Sequence, residues 1–336
     1  MADKVTLKDV ARVAGVSVAT ASYALNGKSE VGEGTRAHVL NVARRLGYQA
    51  NMAARAMKTG RTGCIGLVIP NITNPLFARL AQSVTSAAED HGAAVFLVDS
   101  EGSKDAEANA IDHLVRHGAD GLIWFPVNDE TRIKAGDFKK PVVVLDRDLS
   151  GFDKVQAEYV EGGRLVGEHL VACGHKRIGL LNGPADVLNS RQRTEGIRAG
   201  LAEAAEVVWS LDHPYVPELT ATALELLERR NATAIACGND LIALGTMAAL
   251  RERGLEPGKD VAVVGFDDID LCRLVWPRLS SVRLPIAEMG VSAVERLMAR
   301  IKKPDLPPQR VLLGVSLQVR ESSGPSSDAS HRKTQS

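Results

Sequence analysis

The chain has 336 residues, of which 45% are hydrophobic and 24% charged, and its formal net charge is zero. This length and composition predict a globular protein of two or three domains with large cores. Aromatic residues make up only 4%, so the cores must be mainly aliphatic, as in buried parallel sheets. No apolar run approaches eighteen residues and no apolar segment follows Met1. Membrane insertion and export are therefore disfavoured, and a cytoplasmic protein is expected.

The net charge hides an asymmetry along the chain. Residues 1–60 contain nine lysines and arginines but only four acidic residues, so the rest of the chain is mildly acidic. A basic end on an acidic body is typical of a nucleic-acid-binding module joined to another domain. Cys64, Cys173, Cys237 and Cys272 are scattered, without a CxxC pair. They are interpreted as reduced thiols, and no metal or cofactor is expected.

The segment TLKDVARVAGVSVATASYALN near the N-terminus predicts two short helices. Thr6 and Asp9 have the spacing of a capping box at the start of the first helix. Gly15 ends that helix, and Ser17 caps a second helix that runs to about Leu25. Two short helices joined by a turn containing glycine form a helix-turn-helix, whose second helix lies in the DNA major groove.

A helical hairpin inside a larger helical domain is the alternative interpretation of this segment. The exposed face of the second helix argues against this alternative. That face carries Ala19, Thr20, Ser22 and Tyr23. An ordinary solvated face carries mainly glutamate and lysine. The small, hydroxylic and aromatic residues therefore favour a DNA-binding helix.

A third helix is predicted from about residue 35 to residue 46, with a weak start because Gly32 and Gly34 precede it. Residues 51–58, NMAARAMK, contain good helix formers, but isolated helices this short are marginal in water. They are expected to be a linker that forms a helix only when another molecule holds it.

From residue 62 the pattern changes to short aliphatic runs that alternate with helical stretches, which predicts βαβ units and parallel sheets. About 260 residues of this pattern exceed one doubly wound sheet, so two similar subdomains are expected. The last aliphatic run, residues 311–319, is predicted to be one strand. The tail, residues 321–336, is polar and rich in small residues, and it is expected to be disordered.

Two alternative classes were considered for this body. A nucleotide-dependent or sugar-phosphate enzyme would need a phosphate loop or a catalytic set. The turn after the first strand reads PNITNP, and no GxGxxG, P-loop or serine elbow is present. An exported sugar-binding transport protein would need a signal peptide and would leave the basic end unexplained. Both alternatives are disfavoured, and the protein is not expected to be an enzyme.

The pattern AxxAGVSxxTxSxxLNG, followed by TR, LGY and AR, resembles the LacI/GalR family of bacterial transcription regulators. The resemblance covers about residues 5–320 and implies a helix-turn-helix domain plus a body of the periplasmic-binding-protein type, with two doubly wound parallel-sheet subdomains. It implies a homodimer or tetramer that binds a near-palindromic double-stranded operator. The function it implies is a repressor of a carbohydrate-utilisation operon, controlled by a small-molecule effector.

The resemblance also implies a domain organisation. The DNA-binding domain is expected at 1–50, the hinge helix and linker at 51–61, and the effector-binding and dimerisation domain at 62–320. Its first subdomain is expected at about 62–156 and 285–310. The second subdomain is expected at about 157–284 and 311–320.

DNA contacts are expected along the helix-turn-helix and the hinge. Base contacts are assigned to Val18, Ala19 and Tyr23, where Tyr23 replaces the arginine or histidine frequent in the family. In the hinge, Met57 stands where the family inserts a leucine into the minor groove. The remaining expected contact residues are Thr6, Ser17, Thr20, Ser22, Asn26, Asn51, Arg55 and Lys58.

Ligands of open α/β sheets bind beyond the carboxyl ends of the strands. Arg193 lies in SxxRxxG, which matches the family segment whose arginine contacts the effector. Where the family often has Asp-Asn, this chain has Glu158-Tyr159. A neutral sugar is the first expectation, and a sugar acid or phosphate the alternative. The expected effector-binding residues are Asn74, Phe77, Trp124, Asp146, Arg147, Arg193, Asn239 and Asp267, with Asp240 as a helix cap and Asp268 in a structural role.

Overall fold

The computed structural model describes residues 5–25, 30–48, 60–131 and 133–324. The chain divides into two compact units between Thr62 and Gly63, and each is described by itself. None of the described helices combines the length and apolar character needed to cross a membrane. Five residues expected to contact DNA lie outside the described residues: Asn26, Asn51, Arg55, Met57 and Lys58.

The N-terminal unit consists of helices α1 (Leu7–Ala14), α2 (Val18–Leu25) and α3 (Glu33–Arg45). Small and β-branched side chains dominate its core, which lets the three short helices pack closely. Helix α3 follows Gly32, which supplies no side-chain cap, in line with the weak start expected there. The buried core residues are Val10, Ala11, Ala14, Ala21, Ala24, Val31, Val39, Val42 and Ala43.

The turn between α1 and α2 confirms the sequence interpretation. The Thr6 amide donates to Asp9 Oδ2 at 3.0 Å, and the Asp9 amide donates to Thr6 Oγ1 at 3.4 Å, which completes the capping box. Gly15 ends α1 with a φ of 66°, a left-handed conformation that favours glycine. The Thr20 amide donates to Ser17 Oγ at 3.0 Å, so Ser17 caps α2. A helix-turn-helix results.

The second unit contains two six-stranded sheets. The first has the order β11-β5-β4-β3-β1-β2 and is parallel, and the second has the order β12-β10-β9-β8-β6-β7 with only β12 antiparallel. The first sheet comprises β1 (Cys64–Ile69), β2 (Ala94–Asp99), β3 (Leu122–Trp124), β4 (Val142–Leu145), β5 (Asp153–Ala157) and β11 (Arg310–Leu313). The second comprises β6 (Arg177–Asn182), β7 (Glu206–Asp212), β8 (Ala234–Cys237), β9 (Ala262–Asp267), β10 (Ser280–Arg283) and β12 (Ser316–Gln318).

Helices cover these sheets as in doubly wound proteins, and each sheet with its helices forms one subdomain. The chain passes from the first to the second subdomain after β5, returns after β10, and crosses again between β11 and β12. The helices are α4 (Pro75–Asp90), α5 (Lys104–Arg116), α6 (Tyr159–Ala172), α7 (Leu188–Leu201), α8 (Ala221–Glu228), α9 (Asp240–Glu252) and α10 (Ile286–Lys302).

The region expected to be one strand at 311–319 is two strands in different sheets. Arg310–Leu313 pairs with β5 in the first sheet, whereas Ser316–Gln318 pairs with β10 in the second. The expected assignment of 311–320 to the second subdomain is therefore wrong for the residues of β11. The run VLLGVSLQV has strand character throughout, so only the pairing reveals the crossing at Gly314.

The beginning of the tail also differs from the expectation. Glu321–Ser323 forms a 3-10 turn in which Ser322 and Ser323 are buried. The Ser280 amide donates to Ser322 Oγ at 2.8 Å, and Ser322 Oγ donates to the Val263 carbonyl at 2.6 Å. Small polar residues can be buried when such partners are available, and composition alone does not show these partners.

Helices α6 and α7 pack backbone against backbone through paired glycines four residues apart. A Cβ added to Gly163 would lie 2.1 Å from the Arg193 carbonyl oxygen, and one added to Gly196 would lie 2.0 Å from that of Val160. Gly167 and Gly200 are equally close to the facing helix. Only glycine permits this approach, and it fixes the position of α7, which carries Arg193.

We expect Gly163→Ala to lower the free energy of unfolding of the full chain by about 1–3 kcal/mol, the usual range for overpacking. The cause is a methyl group that must displace the backbone of α7. Gly136→Ala is the matched control, because its added Cβ would have no heavy atom within 4 Å. Urea unfolding followed by fluorescence measures both. Equal midpoints for Gly163→Ala and Gly136→Ala would contradict the close packing of the two helices.

Candidate functional site

In the N-terminal unit, the outer face of α2 carries the residues expected to contact bases. Because Ala21 and Ala24 are buried, the opposite side of the helix exposes Val18, Ala19 and Tyr23. Thr6 and Ser17 use their hydroxyl groups in helix caps, at the two helix N-termini. Thr20 and Ser22 are half-buried beside this face. The described residues thus form a small, weakly polar surface with one aromatic ring.

In the second unit, a cavity of about 270 Å³ lies between the two subdomains, at the carboxyl ends of the strands. Seven of the eight expected effector residues line it: Asn74, Phe77, Asp146, Arg147, Arg193, Asn239 and Asp267. Asparagines, carboxylates, guanidinium groups and aromatic rings therefore converge in one cleft. Further lining residues that the sequence analysis did not select as effector residues include Phe125, Asn128, Asp186, Asn189 and Tyr215.

Trp124 is the expected effector residue that lies elsewhere. It is fully buried in the outer core of the first subdomain, with its ring centroid 6.0 Å from that of Phe152. Successive side chains at the end of a strand point to opposite faces of the sheet. The neighbouring Phe125 therefore lines the cavity instead. The expectation for Trp124 is wrong by one residue.

Arg193 is buried at the centre of the cleft and held from several sides. Its Nη2 lies 3.2 Å from Asp267 Oδ1, and its Nη1 donates to the Gly238 carbonyl. The guanidinium carbon lies 4.1 Å from the ring centroid of Phe266 and 4.9 Å from that of Tyr159, and such aromatic faces attract a cation. Arg193 Nε has no hydrogen-bond partner among the described residues. The guanidinium group is thus rigidly held although one of its buried N–H groups is unpaired.

Asp146 and Asp267 occupy equivalent positions in the two subdomains. Asp146 directly follows β4 and Asp267 ends β9, with φ angles of 58° and 112° that are unfavourable for residues other than glycine. Strained backbone of this kind clusters at functional sites. Burial raises the pKa of Asp146, and it raises that of Asp267 to about 7, although Arg193 acts in the opposite direction on both. Asp146 Oδ1 lacks a hydrogen-bond partner within the described part of the chain, and Asp267 Oδ1 has only its ion pair with Arg193.

Tyr159 connects the chain crossing after β5 to this cleft. It is buried, its hydroxyl donates to Asp146 Oδ2, and its ring lies 5.9 Å from that of Phe266. The tyrosine of the Glu158-Tyr159 pair therefore supplies a hydrogen-bond donor to one oxygen of Asp146, a carboxylate that lines the cavity. One Asp146 oxygen is left for another donor.

Asn239 lines the cavity as expected, but the helix cap expected at Asp240 is supplied by Asn239 instead. Asn239 Oδ1 accepts from the Ile242 amide at 3.0 Å, so Asn239 caps α9 while it also lines the cavity. Asp240 is fully buried and accepts from the Ile269 amide at 2.8 Å and from Ser281 Oγ at 2.6 Å. Burial raises its pKa to about 8. Asp268 is structural as expected, because Arg283 and Arg320 hold it.

The lining residues missed from the sequence lie in loops and at helix starts. Tyr215 follows β7, a strand of seven residues in which only Val207 and Val208 are adjacent aliphatic residues. Asn128 and Asp186 lie in irregular segments on opposite sides of the cleft. Asn128 Nδ2 donates a hydrogen bond of 2.9 Å to Asp186 Oδ2. Asn189 was within reach of sequence reasoning, because it lies in the same segment as Arg193. Asn128 and Asp186 do not follow the predicted end of a strand, so the sequence pattern does not place them at the cleft.

A helix-turn-helix unit, followed by two parallel-sheet subdomains around a polar cleft, defines a DNA-binding regulator with a ligand-binding body. The family model "Bacterial regulatory proteins, lacI family" matches residues 6–51. The model "Periplasmic binding proteins and sugar binding domain of LacI family" matches residues 62–320. The chain belongs to the LacI family and is a DNA-binding transcriptional regulator.

Individual relatives agree with this assignment over nearly the whole length. The chain is 32% identical to the transcriptional regulator GalR of Escherichia coli K12, covering 98% of this chain and 99% of GalR. It is 30% identical to the transcriptional repressor PurR of Haemophilus influenzae PittEE, covering 89% and 92%. The structure is similar to that of the Lac repressor dimer bound to operator and the anti-inducer ONPF. The TM-score is 0.80 at 27% identity, covering 96% of this chain and 100% of the other.

We expect Tyr159→Phe to destabilise the full chain by about 1–3 kcal/mol at pH 8, because the buried Asp146 carboxylate loses its donor. The loss should shrink towards pH 5. The pKa of Asp146 in the folded protein is raised, so its protonated form contributes stability at low pH that is lost as the pH rises through that pKa. In Tyr159→Phe the pKa of Asp146 rises further, because the hydroxyl that lowers it is gone. The variant therefore loses more stability than the wild type as the pH rises.

Thermal unfolding of both proteins across this pH range tests the prediction. Asp146→Asn provides the control in a double-mutant cycle, since an amide has no charge to stabilise. The same cost for Tyr159→Phe in both backgrounds would show that the hydroxyl does not act through Asp146.

Proposed function

We propose that this regulator is a repressor whose operator affinity is controlled by a neutral sugar bound in the cleft between the subdomains. The observation that carries the proposal is the pair of carboxylates, Asp146 and Asp267, that line the cleft beside the buried Arg193. Asp146 Oδ1 has no hydrogen-bond partner among the described residues, and Asp267 Oδ1 has only its ion pair with Arg193. Carboxylate and guanidinium groups together accept from and donate to adjacent hydroxyl groups. Sugars offer such hydroxyl pairs.

The charge of the cleft favours a neutral ligand over a sugar acid or phosphate. Four carboxylate residues line the cavity, namely Glu101, Asp146, Asp186 and Asp267, against the two guanidinium groups of Arg147 and Arg193. The side chain of Arg193 is already paired with Asp267. Arg147 is likewise near Asp129. An anionic ligand would therefore enter a partly desolvated site whose two guanidinium groups are both paired already, which is unfavourable.

The apolar wall and the size of the cavity fit a small sugar. Phe77 and Phe125 both line the cavity, and their rings meet edge to face, with centroids 4.9 Å apart and an interplanar angle of 87°. Apolar ring surfaces suit the C–H faces of a sugar. The volume of about 270 Å³ is at the lower end for ligand sites. A monosaccharide is therefore the proposed size, with Asn74, Arg147 and Asn239 as further contacts.

On DNA, we propose a homodimer that binds a near-palindromic operator in the cytoplasm, as the operator-bound Lac repressor dimer suggests. Val18, Ala19 and Tyr23 are the proposed base contacts, because the outer face of α2 exposes them. The domain boundaries at 1–50, 51–61 and 62–320, and a hinge helix with Met57 in the minor groove, are part of the same proposal.

Ligand binding is proposed to change the angle between the subdomains, which the chain crosses three times. Arg193 and Asp267 belong to the second subdomain, whereas Asp146, Arg147 and Phe77 belong to the first. A ligand that contacts both sets stabilises one arrangement over the other. A coupling free energy of about 1–3 kcal/mol, or about 5–150-fold in operator affinity, is sufficient for regulation.

We expect Arg193→Ala to bind operator DNA like the wild type but to lose the response to the sugar, because the central hydrogen-bonding group is removed. A thermal-shift panel of neutral monosaccharides, sugar acids and sugar phosphates on the full chain first identifies a ligand. Gel-shift titration of operator DNA with that ligand then compares the variants. Arg198→Ala, an exposed arginine on the same helix, should respond normally. A full response by Arg193→Ala, or binding of sugar acids only, would contradict the proposed site.

We expect Tyr23→Ala to change the preferred base at one or two positions in each operator half-site, because Tyr23 is exposed on the outer face of α2. Selection from a randomised DNA library measures this preference. Val13→Ala, also at an exposed apolar residue of this unit but outside α2, is the control. Binding should weaken steeply with salt in all three proteins. An unchanged preference at every position would exclude Tyr23 from base contact.

A further inference from the structure

Helix α7, which carries Arg193, lacks a capping side chain of its own. The residue at its N-cap position is Val187, whose side chain cannot accept a hydrogen bond. The first amides of a helix have no intrahelical acceptor and need one from elsewhere. Here the Leu188 amide donates to Asp129 Oδ2. The cap of this helix therefore comes from a distant part of the chain.

Asp129 belongs to the first subdomain, in the segment after β3, whereas α7 belongs to the second. The same carboxylate lies 3.6 Å from Arg191 Nη2 of α7 and 3.8 Å from Arg147 Nε of the cavity lining. The preceding residue, Asn128, donates to Asp186 Oδ2 at 2.9 Å. Two neighbouring residues of one subdomain thus bind the entry to α7 in the other.

A carboxylate at a helix N-terminus is favourable because it meets both free amides and the positive end of the helix dipole. The cap at α7 exists only while the two subdomains are close. When the cleft opens, the Leu188 amide and the Asp129 carboxylate both return to water. The interaction therefore contributes to the closed arrangement and not to the open one.

We propose that Asp129 is a positioning residue that caps α7 across the cleft and holds the ligand-binding body closed before any ligand binds. This inference rests on the proposed function for its role in regulation, because closure brings Arg193 opposite Asp146 and Arg147. Its contact with Arg147 joins the cap to the cavity. A ligand that engages Arg147 acts on a group already connected to α7.

Hydrogen exchange of the full-length protein without ligand, followed by mass spectrometry, tests the cap. In Asp129→Ala, amides in residues 184–192 and in residues 126–131 should both exchange about tenfold faster or more, since a hydrogen bond to a charged group is lost and the cleft opens. Asp129→Asn keeps an acceptor oxygen without the charge. Its amides in these two segments should exchange at rates between those of the wild type and of Asp129→Ala. Glu130→Ala is the matched control, because Glu130 pairs with Lys104 of its own subdomain.

Three results would overturn the proposal: unchanged exchange in both variants of Asp129, faster exchange confined to residues 184–192, or an equal increase in Glu130→Ala. If Asp129→Ala does not fold, Asp129→Asn alone decides between these outcomes. The experiment uses no sugar, so failure of the sugar panel would leave it unaffected. Conversely, a failed cap would leave the sugar-binding result unchanged.

Discussion

The cleft depends on one buried cation, Arg193, more than on any other group. Removing a guanidinium from water is costly, and the cost is offset only when partners surround it. Asp267, the Gly238 carbonyl and the ring of Phe266 supply them, from β9 and the end of β8. The position of α7 follows from the glycine contacts with α6, so the arginine enters this environment in one orientation. Its Nε has no hydrogen-bond partner among the described residues.

The order of elements could be predicted from the sequence because helical spacing, capping residues and aliphatic runs are local signals. Thr6, Asp9, Gly15 and Ser17 define the helix-turn-helix almost without tertiary information. Strands β5 and β10 lack such an aliphatic run, because DKVQA and SSVR mix polar with apolar residues, although both strands are buried in the sheets. The division of 310–318 between two sheets depends on pairing partners far away in the chain.

The cleft was predictable where a residue directly ends a strand, as for Asp146 and Asp267. The cleft was less predictable where the lining residue depends on which face of the sheet a side chain points to. For this reason Phe125 lines the cavity and Trp124 does not. Asn239 and Asp240 show a second limit, because both are polar residues at a helix start and the sequence does not distinguish the one that caps the helix. Asn128, Asp129 and Asp186 lie in irregular segments, and only the folded subdomains bring them together.

Tyr159 shows why the identity of the ligand cannot be inferred from similarity to the relatives alone. It stands immediately after the first crossing between subdomains and satisfies one oxygen of Asp146. A residue without a hydroxyl group at this position would leave both oxygens for the ligand or for water. The number of Asp146 oxygens without a protein donor therefore depends on a residue of the crossing segment. Because the same residue packs against Phe266 near Arg193, one side chain of the crossing segment contacts groups of both subdomains at the cleft.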